Sequence, residues 1–244
     1  MALAFDAKAV TTAHTAGATS LDNTTLTIGA GATCLLVALL FQEVFAVPSS
    51  ISVRWDSAGT NQLMTLITER QSNDVNGHVQ LYGLVNPTSG NKTLHAAWTT
   101  SVPAVLDAIS FTGGVTTSVA TAFVRAATNA ANSGAPTLSL TGAAGNISAC
   151  AYDDAAGGSP TTGLTATSSS LWFTNSSELR LSTRGATAPS AGTVTWTGAP
   201  STLEWCIAGV DVVAAPVSGA GTVAGAGGII GPAKQWMIGS TQRW

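Results

Sequence analysis

An all-β fold, a two-sheet antiparallel β-sandwich of jelly-roll type with an extended C-terminal arm, is what this sequence predicts, and three observations predict it. Strand-length runs rich in β-branched and aromatic residues recur at short intervals between Gly, Pro, Asn and Asp clusters, the punctuation of a sandwich or barrel. Inside several of these runs apolar and polar residues alternate with the strand period of two. Residues 1–213 keep this character, whereas residues 214–244 pass through a Gly/Ala spacer into an aromatic and cationic end. One sandwich domain (1–213) and one arm (214–244) are therefore expected.

Residues 24–28 (TTLTI) form the first predicted strand and end at the GAG turn at 29–31. Residues 33–42 (TCLLVALLFQ) are apolar on both faces, as a central strand covered from both sides requires. A buried helix is the alternative, and the flanking glycines and short length decide for strand. The VPSS turn at 47–50 leads to 51–55 (ISVRW), where Ile51, Val53 and Trp55 share one face opposite Ser52 and Arg54. After DSAGTN at 56–61 comes a strand over 62–68, then the NDVNG turn at 73–77. In 78–84 (HVQLYGL) Val79, Leu81 and Gly83 oppose Gln80, Tyr82 and Leu84, which predicts one buried and one half-exposed face. NPTSGN at 86–91 precedes strands over 92–99 and 106–112. Residues 121–132 (TAFVRAATNAAN) suit a short helix or a loop. Further strands are predicted at 137–141, 147–152, 170–174, 178–183, 193–197 and 203–213, with surface loops at 153–163 and 185–192. No fixed-period repeat points to a propeller or solenoid.

Charged residues are 9% of the 244, against about 25% in typical soluble domains. So neutral a surface suits a chain covered by copies of itself or by a partner better than a free monomer; a monomer with a Ser/Thr-rich neutral surface is the alternative. With a net charge of −3 there is no electrostatic footprint for nucleic acid. The apolar run at 34–41 falls far short of the roughly 20 residues a membrane span needs. The N-terminal MALAFDAKAVTTAH carries Asp6 and no basic region before an apolar one, so no secretory signal is expected. Cys34, Cys150 and Cys206 are odd in number and set in apolar strand contexts, as small core residues are. Asn-x-Ser/Thr sequons begin at Asn23, Asn91, Asn146 and Asn175, chance matches in a Ser/Thr-rich chain without a secretory route.

The residue pattern offers little for catalysis. His14, His78 and His95 stand apart, with no G-x-S-x-G nucleophile turn, no H-E-x-x-H and no CxxC spacing, so neither a Ser–His–Asp site nor a metal site is expected. The histidines read as satisfied strand or loop residues. Asp153–Asp154 in a Gly-rich loop is a calcium candidate, outweighed by a solvated turn. Glu204, between Leu203 and Trp205, is placed by strand alternation on the face opposite those neighbours. The tail glycines Gly219, Gly221, Gly225, Gly227 and Gly228 lack the βαβ unit and acidic residue of a dinucleotide site. No cofactor is expected, and the chain reads as a non-enzyme.

Trp55, Trp98, Trp172, Trp196 and Trp205 fall in predicted strands and read as core; exposed, they would instead serve as platforms for sugars. Trp236 and Trp244 lie beyond the spacer. Ile229, Ile230, Lys234, Trp236, Met237, Ile238, Arg243 and Trp244 are of the types that anchor interfaces, and they are the predicted partner-contact residues of the arm. A final strand packed back on its own domain is the alternative.

The first half, with CLLVALLF at 34–41, SVRWDSAGTNQLMTLI at 52–67, VQLYGLVNPTSGNKTL at 79–94 and AISFTGG at 108–114, resembles phage and bacterial β-sandwich structural proteins. The resemblance covers less than half of the chain and brings no catalytic residues. It implies a jelly-roll-like sandwich in a structural or surface-binding context. Joined to the low charge and the arm, it sets the expectation of a bacteriophage virion protein of capsid decoration, cement or head/tail accessory type. Such a protein would be made and assembled in the host cytoplasm, as a homo-oligomer such as a trimer, and would contact other virion proteins such as the capsid shell. The alternative is a carbohydrate-binding, lectin-like or adhesin module that recognises glycans through loops such as 153–163.

Overall fold

The computed structural model describes residues 1–11, 13–42, 48–154, 165–166, 170–176, 181–187, 190–198, 200, 202 and 204–216; at residues 14 and 154 and in the segments between 165 and 191 only the backbone is described. The described chain is all-β and every strand pair is antiparallel. In chain order the strands of the first half are β1 (Ala4–Lys8), β2 (Ala13–Asn23), β3 (Thr27–Ile28), β4 (Ala32–Gln42), β5 (Ser52–Trp55), β6 (Gln62–Leu63), β7 (Thr65–Gln71), β8 (Gly77–Val85), β9 (Gly90–Asn91) and β10 (Leu94–Thr112). A one-turn helix, α1 (Val119–Ala122), leads into β11 (Phe123–Ala131), β12 (Thr137–Asp154), β13 (Thr165–Ala166), β14 (Ser170–Ser176), β15 (Leu181–Thr187), β16 (Ser190–Thr197) and β17 (Trp205–Val212).

The first sheet is organised by β10. β2 pairs with both of its halves, while on the opposite side β5 pairs with Leu94 to Ala97 and β4 with Ala104 to Thr112. From β4 the sheet continues through β8 to β7, and from β5 to β6. Its two terminal strands are thus consecutive pieces of chain separated only by Met64, whose N–H donates to Val53 O at 2.9 Å. The sheet therefore curls round an interior filled by Leu35, Val37, Leu39, Phe41, Trp55, Met64, Tyr82, Trp98 and Leu106.

The outer face of the curl packs on the second sheet, ordered β11-β17-β12-β15-β14. Cys34, Leu36, Ala38 and Leu40 of β4 and Val79 and Leu81 of β8 meet Ile147, Ala149 and Ala151 of β12 and Ala208, Val210 and Val212 of β17. β4 is thus buried on both faces, as its uninterrupted apolar run predicts. Gly83 of β8 sits where a Cβ would come within 2.7 Å of the Phe123 ring, so only glycine lets β11 approach there. A third apolar cluster, with Leu138, Tyr152, Val194, Trp196, Trp205 and Ile207, fills the far side of the second sheet.

Several expectations need correction. β1, of five residues, and the small-residue strand β2, both before residue 24, are not among the predicted strands. Residues 121–132 are neither a helix nor a loop over most of their length but strand β11. The separate strands at 92–99 and 106–112 are one strand, with register shifts flanking Val102, and those at 137–141 and 147–152 are likewise one, with a shift between Gly142 and Asn146. The predicted half-exposed face of β8 is buried inside the curl: His78, Gln80 and Tyr82 are only 2–5% exposed.

Candidate functional site

The inward positions of β8 carry polar side chains into an otherwise apolar interior, and they converge on a carboxylate. Tyr82 Oη donates to Gln80 Oε1 at 2.8 Å, and Gln80 Nε2 donates to Glu69 Oε2 of the neighbouring β7 at 2.7 Å. His78 Nε2 lies 3.1 Å from the same oxygen, and its ring stacks on Phe41, which in turn meets Trp98 edge-on. Alternation on β8 aligns residues 78, 80 and 82, and the antiparallel register sets Glu69 opposite Gln80. Burial holds the His78 imidazole below its ordinary pKa against the pull of Glu69, so it is a neutral donor; burial likewise pushes the Tyr82 hydroxyl well up. The polar chain is satisfied toward Glu69 by Gln80 and His78 Nε2, while His78 Nδ1 is buried without a partner among the described residues. Gln80 and His78 thus hold one carboxylate in place.

Glu69 is the half-exposed end of the chain, with 47% of its side chain accessible. It opens into a cleft of about 390 Å³ whose walls include Pro48, Ile51, Val53, Leu63, Met64, Leu66, Gln80 and Tyr82. Leu63 and Leu66 are among the large apolar side chains exposed to solvent. The cleft can therefore accept a hydrogen-bond donor or a cation at Glu69 and an apolar body beside it. Among the described residues of its lining, Glu69 is the carboxylate. Among the described residues no group of three or more His, Cys, Asp or Glu side chains is placed to hold a metal.

A polar seam ties the two packed sheets together. Gln42 Nε2 donates to Asp153 Oδ1 at 2.9 Å, and Glu204 receives the Asp74 N–H at 2.7 Å and the Asn76 side-chain amide. Asp153 is 1% exposed at the end of β12, which corrects its reading as part of a solvated turn; residues 155–164 lie outside the described residues. Glu204 is buried as a clamp on the 73–77 turn. His95 Nδ1 lies 2.6 Å from Asp22, while the side chain of His14 is outside the description. The three cysteines are buried and form no disulfide; burial lifts the Cys34 thiol to about 11, and burial with Asp153 nearby raises Cys206. Burial thus disfavours the thiolate form of Cys34 and Cys206.

Trp55, Trp98, Trp196 and Trp205 are buried, as their strand positions predict, whereas the side chain of Trp172 is not described. The predicted arm contacts Ile229, Ile230, Lys234, Trp236, Met237, Ile238, Arg243 and Trp244 all lie outside the described residues, which end at Pro216. Glu69 and its cleft are absent from the sequence-based prediction. The polar residues at alternate positions 78, 80 and 82 were the available signal, readable only once the curl is known. Comparison of the chain with protein-family models, curated proteins and solved structures finds no match.

Proposed function

We propose that this chain is a non-enzymatic structural protein of a bacteriophage virion, a capsid decoration or cement protein or a head/tail accessory protein, built as a jelly-roll-type sandwich with a C-terminal contact arm. It works by assembling with copies of itself and with other virion proteins. One observation carries the reading: the outer face made by β16 and the first half of β12 presents hydroxyls and no charge. Ser139 faces Thr195 and Thr141 faces Thr193, each pair hydroxyl to hydroxyl at 3.0 Å. Residues 126–152 and 185–203 contain no Asp, Glu, Lys or Arg. Solvated monomers ordinarily carry mixed charge on such a face. The carbohydrate-binding alternative calls for an exposed indole, and the four Trp side chains that are described are buried.

The test is to purify phage particles from the host that carries the gene and analyse their peptides by mass spectrometry. The chain is expected as a stoichiometric component; particles consistently free of it overturn the virion assignment.

A further inference from the structure

Three hollows on the surface differ in the charge they present. The groove of about 420 Å³ where the described chain ends, lined by Ala2, Leu3, Ala144, Gly145 and residues 214–216, has no charged side chain. The groove of about 290 Å³ between β7 and α1 includes Arg125, already engaged by Asp211 at 3.4 Å. The cleft beside Glu69 is different, because its carboxylate is held but not neutralised. Both groups that meet Glu69, the Gln80 amide and the buried His78 imidazole, are neutral, and among the described residues no Lys or Arg nitrogen lies within ion-pair distance of it. Its Oε1 takes no hydrogen bond from the described residues, and Leu63 and Leu66, 58% and 41% exposed, stand beside it.

The complement of such a cleft is a single cation among apolar side chains. Desolvating a carboxylate against leucines is unfavourable unless the incoming group brings opposite charge, and an ammonium on a flexible apolar stem brings both. The chain itself contains that pattern. Lys234 lies between Ile229 and Ile230 on one side and Trp236, Met237 and Ile238 on the other. Residues 217–233, which separate it from Pro216, carry no charge and at full extension reach about 60 Å, enough to pass from one subunit to the next.

We propose that the Glu69 cleft of one copy receives the Lys234 segment of a second copy, with a Glu69–Lys234 ion pair set between apolar walls. This rests on the reading above that the chain assembles with itself.

Carbodiimide, which condenses a carboxylate with an amine held against it, tests the proposal on the full-length chain. A covalent dimer is expected, with a peptide joining Glu69 to Lys234 recovered from it. Glu69→Gln and Lys234→Gln should each abolish that dimer and weaken association on the order of tenfold in sedimentation. Gln at position 69 keeps an acceptor for Gln80 and His78, and its thermal melt reports whether the fold is intact. Lys234→Gln alters no described contact and repeats the test independently. A chain that sediments as an oligomer yet gives no Glu69–Lys234 link, or gives it only within a monomer, overturns this inference and leaves self-assembly standing. A chain that stays monomeric at every concentration overturns both.

Discussion

Asp211 shows how a single buried charge is tolerated near the end of β17 in the second sheet. Its side chain is 1% exposed, Arg125 Nη1 donates to Oδ2 at 3.4 Å, and Gly142 leaves room for the carboxylate, since a Cβ there would stand 2.9 Å from Oδ2. Arg125 reaches it from a residue with φ of 52°, in the left-handed region, next to the register shift in β11. Burial raises the carboxyl above its ordinary range and the guanidinium only partly offsets this. A folded value above the unfolded one means that the folded chain holds its proton more tightly. No stability is lost to this group below the unfolded value of about 4. Stability falls as pH rises through the window up to the raised folded value, and stays lower beyond it. Asp211→Asn is therefore expected to raise the melting temperature at neutral pH, with the gain vanishing below the ordinary carboxylate range. Thermal melts of both proteins across that range check this, and a variant less stable at neutral pH would show that the ion pair outweighs the desolvation.

At the scale of elements, β4 is the strand on which both cores depend. Leu36 faces the second sheet and Leu35 and Leu39 fill the curl, all at 0% exposure. Leu36→Ala should cost about 2–5 kcal/mol in chemical denaturation, while Leu66→Ala, at 41% exposure, should stay within about 0.5 kcal/mol. This strand was legible in the sequence because its apolar run leaves no face for water. β5 and β8 were legible by alternation, although alternation cannot tell an open face from one enclosed by curvature. That is why Gln80 and Tyr82 read as half-exposed and the Glu69 cleft went unseen. β2 is built largely of Ala, Thr, Ser and Gly and β1 is only five residues, AFDAK; both are strands because β10 offers them a ladder, a context that outweighs intrinsic preference. The Ala-rich β11 was ambiguous for the same reason, and the turn of its chain at Arg125 hides what alternation remains.

For the whole molecule, the distribution of charge matters more than its total. The acidic groups of the second half whose side chains are described, Asp153, Glu204 and Asp211, are buried and engaged in the seam or with Arg125, and Arg125, 46% exposed, lines the groove beside β7 and α1. The outer face made by β16 and the first half of β12 is left with Ser139, Thr141, Thr193 and Thr195, which satisfy one another in pairs and present methyls and hydroxyl oxygens outward. A neighbouring copy can pack on such a surface without desolvating a charge, and nothing on it repels a second like face. If this face is the lateral contact, Ser139→Lys combined with Thr193→Lys places two diagonal cations on it, and two copies that meet through it must then bring four together. The fold should tolerate both changes, because both positions are exposed and Lys can extend into water. Sedimentation is therefore expected to show the double variant dissociating at concentrations where the parent chain is assembled, with an unchanged melting profile for the subunit and partial reassociation at high salt, where the added repulsion is screened. A double variant that assembles like the parent at low salt would move the contact to another face and leave the arm to carry the assembly.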